Sequence, residues 1–217
     1  MEKEKAEKEF EEYREFLHFE AQRLASYIRL YHHLHERMKD RMNVINMSPT
    51  FFQVTIDALF TAIVLCVDKL FGERSERGFL DFLSFVGNNR SIFTVDELKR
   101  RKGYPDDHWM LNRQPITLQR IENDRLKIKQ IESLSSFKLR RNKSHAHFDK
   151  EYFLDKNKLG EHTPMKRGDL SHLVHAMVDI LNTYSAAYDG NMCSLGPLNI
   201  NDVDRILDLL NNYGMRK

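Results

Sequence analysis

The most regular feature of the chain is a seven-residue repeat of apolar side chains near its start. Residues 2–45 contain neither proline nor glycine, and the repeat is carried by Phe10, Leu17, Leu24, Tyr31, Met38 and Ile45. Apolar residues at this spacing lie on one face of an α-helix. The pattern predicts one helix over about 2–45, roughly 60 Å long at 1.5 Å per residue, whose first turns project beyond the domain or pair with a second subunit.

A second helix is predicted directly after the first. Ser48 and Pro49 favour a helix start, because the serine hydroxyl can cap the first amides and proline needs no N–H in the first turn. Over about 49–71 a broad apolar stripe is thickened by Val54, Ala58, Ala62 and Leu65. We therefore expect a central, mostly buried helix, with Asp57 and Asp68 as partnered or boundary carboxylates.

The rest of the chain also has helical patterns. Apolar stripes predict three more helices, over about 116–142, 169–188 and 201–213. The connecting region 73–115 holds a short apolar helix near Phe79–Val86 and a capping box from Thr94 to Glu97. Sustained alternation of polar and apolar residues, the strand pattern, is scarce. We expect an all-α chain: one domain over 1–217, built as an up-and-down bundle of four to five helices with a helical and loop insertion around 73–115.

Composition agrees with a soluble single domain. The chain has 217 residues, of which 41% are apolar and 30% charged. Lys plus Arg number 34 and Asp plus Glu 32, so a nucleic acid would have to be held by a local basic patch. Cys66 and Cys193 form no C-x-x-C motif, and the apolar run Ala58–Val67 is about half a bilayer span. With a highly charged N-terminus, this favours a cytoplasmic protein with no membrane contact.

The chemistry-bearing stretch lies where the third long helix is predicted to end. Five basic residues and one acid give residues 138–150 a net charge of +4, and His145 and His147 form an H-x-H pair. A basic helix end is stabilised by the helix dipole, so a solvated C-terminus is one explanation. On an unbroken helix Arg141 and His145 would lie ~40° apart in projection, but Arg141 and His147 ~240° apart. If Arg141 and His147 serve one site, the helix must end near Lys143 or the second residue must come from a neighbouring chain.

The motif "RNKSHAH", Arg141 to His147, resembles the signature of the HEPN superfamily. That signature is an arginine, a polar residue directly after it, and a histidine four to six residues later. The similarity extends to "FFQVTIDALFTAIVLCVDKLFGERSERGFLDFL", "LRRNKSHAHFDKEYF" and "GDLSHLVHAMVDILNTYSAAYDG", in that order. These segments are similar to the abortive-infection (AbiU-like) branch of the superfamily, and the resemblance covers roughly residues 10–190.

The resemblance implies a metal-independent endoribonuclease that needs no cofactor and acts as a homodimer, with two motif copies meeting across the interface. Arg141 would then stabilise the phosphate and transition state, since arginine stays charged and offers a planar fork. His147 would transfer protons or position the scissile phosphate, and Asn142 would orient the histidine or a phosphate oxygen. Auxiliary RNA-binding candidates are His145, Lys143, Arg140 and Lys138.

The family also implies a role in phage defence or as a toxin, with a possible neutralising antitoxin. Some members carry a modifiable tyrosine two residues after the histidine; here that residue is Asp149, so this control is not expected. Two alternatives stay open. One is a non-catalytic dimer that binds RNA or a nucleotide in the same cleft. The other is a helical interaction module whose long first helix docks a partner.

Other histidine pairs suggest rival sites. The histidines of "YHHLH", residues 31–35, lack a carboxylate or cysteine at ligand spacing, so an aromatic–histidine dimer surface is preferred to a metal site. His145, His147 and Asp149 could also bind a metal, although we expect none. The pair formed by His172 and His175 could line the motif's cleft if it is not simply a partly buried helix face. The basic segment 99–103 could extend an RNA track, with a solvated loop as the simpler explanation.

Overall fold

The structure, a computed structural model, describes residues 2–73, 75–145, 161–163, 166–195 and 199–214, with the backbone alone at 144, 145, 167 and 214. Across these ranges the regular structure is helical and no strand occurs, which confirms the all-α class. The α-helices are α1 (Glu2–Asp40), α2 (Met42–Ile45), α3 (Pro49–Phe71), α4 (Phe79–Asn88), α5 (Val95–Lys102), α6 (Leu118–Lys129), α7 (Ser133–Arg140), α8 (Arg167–Asp189) and α9 (Asn201–Gly214). The up-and-down order of a bundle stays a prediction.

The predicted four to five helices become nine in the described ranges. Two of the long predicted helices are each divided in two, and the connecting region adds α4 and α5. Thr94 caps α5, because its Oγ1 accepts a hydrogen bond from the Glu97 amide at 3.4 Å. The main core forms where α1 packs along α3 and α8, and the heptad residues Phe10, Leu17 and Leu24 are fully buried in it.

The first turns of α1 do not project, contrary to the expectation. Ala6 and Phe10 are buried in the main core. Glu7 pairs with Arg101 of α5 at 2.9 Å, and the same carboxylate accepts a hydrogen bond from Arg100. Lys3 also pairs with Glu97. The charged residues at this end, which was expected to project, instead pair with residues of α5. This weakens the alternative in which the first helix docks a partner protein.

The predicted helix over 2–45 is wrong at its end, since α1 stops at Asp40 and the backbone of Arg41 leaves the helical region (φ −133°, ψ 38°). The break turns α2 so that Val44 and Ile45 are buried in a second apolar cluster with Phe52 and Leu207. A straight helix would carry its last apolar residues past this cluster. Packing, and not a proline or glycine, therefore ends α1.

The predicted helix over 116–142 is also divided, into α6 and α7. Residues 130–132 form turns in which the amides of Ile131 and Leu134 bond to carbonyls three residues earlier, at 3.1 and 3.0 Å. The division lets α6 pack on α4 while α7 packs on α3. Phe137 of α7 is thereby buried in the same core as Ile128 of α6.

Helix α3 is less buried than expected. Ile63, Val67 and other residues of one side lie in the core, but Val54 is 60% exposed and Leu65 43% exposed, and Phe51 and Ala58 of the same side are exposed as well. Ser48 precedes the helix without making the predicted side-chain cap. The outer side of α3 is therefore an apolar surface.

Length and composition would let α3 cross a membrane, with a mean hydropathy of 1.9 over its most apolar window. The run Ala58–Val67 alone therefore underestimated the length of the apolar segment. A core helix of a water-soluble protein meets the same criterion, and the inner side of α3 packs against α1 and α7.

Candidate active site

The motif begins where regular α-helix ends. α7 stops at Arg140, and Arg141–His145 continue as a π-helical turn packed against α3. In a π-helix the amide of residue i bonds five residues back, so the side-chain directions of an α-helix no longer apply. The ~40° angle expected between Arg141 and His145 on an unbroken α-helix therefore does not apply. Single π-helical turns of this kind are frequent at functional sites.

Arg141 is held by two oxygen atoms. Its Nη1 donates to the Asn142 side-chain oxygen at 2.7 Å, and its Nε lies 3.2 Å from Oδ2 of Asp68 on α3. The side chains of Arg141 and Asp68 are 41% and 29% exposed. A guanidinium has five N–H groups, so within the described residues the Nη2 edge stays available to a ligand. The structure brings Arg141 and Asn142 together and adds Asp68. That Asn142 orients the histidine or a phosphate oxygen stays a prediction.

Asp68 illustrates what the sequence could and could not show. Its place in an apolar helix indicated a partnered carboxylate, but the partner lies more than seventy residues away in the chain and could not be identified from the pattern. Proximity to Arg141 follows only from α7 packing on α3.

The histidine half of the motif is outside this geometry. His147 and Asp149 lie outside the described residues, and for His145 only the backbone is described. The predicted roles of both histidines, and the alternative metal site at His145, His147 and Asp149, stay predictions. Lys143 is half-buried and engaged in a contact of its own.

Arg140 points away from Arg141. Its Nη2 donates to the Thr163 carbonyl at 3.0 Å, and its Cζ lies 5.3 Å from the centre of the Phe60 ring. Its Nε is buried and has no hydrogen-bond partner among the described residues. Burial lowers the pKa of Arg140, since desolvation disfavours the charged form, and the nearby Tyr31 opposes this effect.

An aromatic cluster, formed by Tyr31, His35 and Phe60, lies beside Arg140. The Tyr31 ring centre is 5.6 Å from that of Phe60 and 4.4 Å from that of His35, in an edge-to-face arrangement. Burial raises the pKa of the Tyr31 hydroxyl. Burial, followed by the charge of Lys39, lowers the pKa of His35. The cluster was not predicted as part of the site, although "YHHLH" was noted as an aromatic–histidine surface.

Lys138 contributes weakly to the site as it stands. Its Nζ lies 3.3 Å from Glu73, and both side chains are largely exposed. Ion pairs of this kind contribute about 0–1 kcal/mol. With Asp68 on Arg141 and Glu73 on Lys138, acids from α3 and the loop after it offset part of the +4 charge that the motif carries in the sequence.

The family model described as HEPN_AbiU2 (AbiU2) matches residues 7–212. The chain belongs to this HEPN family. The match confirms the resemblance to the abortive-infection, AbiU-like branch and includes all of the RNKSHAH motif. Neither the curated proteins nor the solved structures contain a match to the chain.

The rival histidines of this HEPN chain have other environments. His33 is buried, with its Nε2 3.2 Å from Asp204 of α9. His172 and His175 are exposed, so the expected partly buried face is not seen. Among the described residues no three His, Cys, Asp or Glu side chains are placed to hold a metal ion.

The basic segment 99–103 is engaged within the chain. Lys99 pairs with Asp106, and Arg101 donates to the carbonyl oxygens of Ile92 and Tyr188. It serves the attachment of α5 described above, so the possible RNA track is not supported here. Two open clefts lie along α1, of about 640 and 400 Å³, and His18 lines both. Their described lining residues include none from the motif.

Proposed function

We propose that this HEPN protein is a metal-independent endoribonuclease that acts as a homodimer in abortive infection, as a phage-defence enzyme or toxin. The observation that supports it most is the Arg141 side chain. Asn142 and Asp68 hold two of its five N–H groups, and the side chain is 41% exposed. An arginine positioned by two of its N–H groups can bind a phosphate oxygen with the others.

The reaction requires a proton acceptor, a proton donor and a cation. The 2′-oxygen attacks the adjacent phosphorus as its proton is removed, the bond to the 5′-oxygen breaks, and that oxygen takes up a proton. The products are a 2′,3′-cyclic phosphate and a 5′-hydroxyl. Arg141 would stabilise the crowded phosphate. His147 would transfer protons, because imidazole changes its charge near neutral pH. Asn142 already bonds Arg141, so its role is to orient the guanidinium.

A second copy of the chain would complete the site. The exposed apolar side of α3 runs from Phe51 to Leu65, roughly 21 Å at 1.5 Å per residue. Leu65 and Asp68 are three residues apart and so neighbours on the helix surface, which places the end of this apolar side next to Arg141. A two-fold axis crossing α3 near Leu65 would bring two motif copies together. It would also cover side chains that are too apolar for a free surface.

The proposal extends to the setting of the activity. An enzyme that cleaves cellular RNA in the cytoplasm must be restrained in an uninfected cell, and a neutralising antitoxin would supply that restraint.

The test is cleavage of single-stranded RNA by the purified protein in excess EDTA. Wild type should cut, while Arg141→Ala and His147→Ala should lose cleavage. Arg90→Ala is the matched control, since Arg90 is an exposed arginine that also bonds a carbonyl, that of Gly87. An uncut substrate with wild type, or equal cleavage by Arg141→Ala, would overturn the proposal.

A further inference from the structure

The two arginines of the motif reach different parts of α3. Arg141 contacts Asp68 and Arg140 contacts Phe60, which lie eight residues apart, or about 12 Å along the helix axis. One phosphate cannot occupy both positions. Arg140 therefore needs a role of its own, separate from the phosphate fork of Arg141.

Among the described residues, no carboxylate is paired with Arg140. Its contacts within the described residues are the Thr163 carbonyl and the Phe60 ring, and its Nε is buried with no hydrogen-bond partner. A partly desolvated cation whose described contacts are a neutral oxygen and a ring is electrostatically incomplete. The lowered pKa of Arg140 has the same cause. An anion placed against the free N–H groups would remove this deficit.

The aromatic cluster next to Arg140 presents rings that are at least partly exposed. Partial burial raises the pKa of the Tyr31 hydroxyl, and partial burial followed by the charge of Lys39 lowers the pKa of His35. His35 is exposed and Tyr31 partly so, with their rings in contact at 4.4 Å. Rings of this kind beside an arginine are the usual elements on which unpaired nucleobases stack.

We propose that Arg140 and the aromatic cluster form a nucleotide subsite beside the scissile position. Arg140 binds a backbone phosphate of single-stranded RNA, and the Tyr31 and His35 rings stack the base attached to it. The inference rests on the proposed function for its choice of RNA as ligand. It adds where the strand lies: from Asp68 towards Phe60 along α3, with cleavage at one end of this path and a stacked base at the other.

The test measures binding without cleavage. In a His147→Ala background, a labelled single-stranded RNA is titrated by fluorescence anisotropy at several salt concentrations. Tyr31→Leu should weaken binding roughly 5- to 150-fold, the range for loss of one stacked base, while Tyr31→Phe should restore it. Arg140→Ala should weaken binding and lower the salt slope by about one ion, and Arg140→Lys should keep that slope.

Matched controls separate the subsite from general effects. Phe19→Leu removes another exposed ring from α1, about 18 Å away along the axis, and Arg90→Ala removes an equal charge from an exposed site. Compared with the intact RNA, an RNA with one abasic position should bind more weakly to the chain that keeps Tyr31 and equally well to Tyr31→Leu. Circular dichroism checks that each variant folds.

The outcomes are distinguishable from those of the cleavage test. If Tyr31→Leu and Arg140→Ala weaken RNA binding but the wild-type chain does not cleave RNA, this inference is supported and the nuclease proposal is overturned. Cleavage combined with unchanged binding by Tyr31→Leu and Arg140→Ala would overturn the inference and leave the nuclease standing. Failure of the His147→Ala protein to bind RNA at all would also overturn the inference.

Discussion

Removing the Asp68 carboxylate should leave the stability of the protein nearly unchanged but strongly slow RNA cleavage. The Arg141–Asp68 pair joins Nε and Oδ2 at 3.2 Å between side chains that are 41% and 29% exposed. A pair so exposed contributes about 0–1 kcal/mol to stability. For a chain of this size Asp68→Ala should therefore lower Tm by no more than about 4 °C.

The same change should strongly slow RNA cleavage. Without Asp68, the bond to Asn142 is the one contact of the Arg141 guanidinium that remains among the described residues, and the guanidinium can rotate about it. A displacement of about 1 Å at a catalytic group can cost about 10²-fold in rate. We expect a loss of that order in Asp68→Ala. Asp68→Asn, which keeps an oxygen acceptor at the same place, should lose less.

The assay is single-turnover cleavage at saturating RNA in EDTA, with thermal unfolding measured on the same samples. Glu122→Ala is the control, because it removes an exposed carboxylate that also pairs with an arginine, Arg125 Nε at 3.4 Å. Equal cleavage rates for Asp68→Ala and Glu122→Ala would refute the positioning role of Asp68. A large fall in Tm would instead show that the pair is structural.

Three more changes test other parts of the structure. Leu65→Asp would place a charge in the proposed interface, so sedimentation velocity should show a helical monomer; a persisting dimer would contradict the use of this side of α3. Tyr184→Phe removes the 3.0 Å hydrogen bond donated to buried Asp124, so urea unfolding should show a loss of about 1.5–3 kcal/mol, and unchanged stability would count against it. A hydrogen bond from Arg37 is the main reason that the pKa of Asp204 is lowered from 3.8 in the folded protein. The ionised Asp204 therefore stabilises the fold fully above pH 3.8, and this contribution is lost as the pH falls through the folded pKa. Unfolding free energies measured at about pH 5 and about pH 2 should therefore differ less in Asp204→Asn than in wild type, and an equal difference would exclude this role.

The heptad pattern predicted the helical class and the buried residues of α1 well. Phe10, Leu17 and Leu24 are fully buried, because a repeat of seven keeps one helix face turned to the core. It could not predict the breaks at Arg41 and at residues 130–132. No proline or glycine marks them, and the segments on either side of each break pack on distant parts of the chain.

At the site, too, contacts between distant segments could not be predicted from the sequence. The motif residues were recognisable as a local pattern, but the hydrogen bond from Arg141 to Asn142 was not predicted. The Asp68 contact required knowing that α7 packs across α3, and the Tyr31–Phe60 contact required knowing that α1 packs along α3. The apolar side of α3 was misread because hydropathy alone does not tell a core face from a surface that another chain would cover.

The chemistry of the cut ends tests the central claim most directly. RNA fragments produced in EDTA should be analysed by mass spectrometry for their 3′ termini. A 2′,3′-cyclic phosphate that disappears when Arg141 is replaced by alanine is the predicted result. Fragments ending in a 3′-hydroxyl, or cleavage that stops when the chelator is added, would contradict attack by the 2′-oxygen without a metal ion.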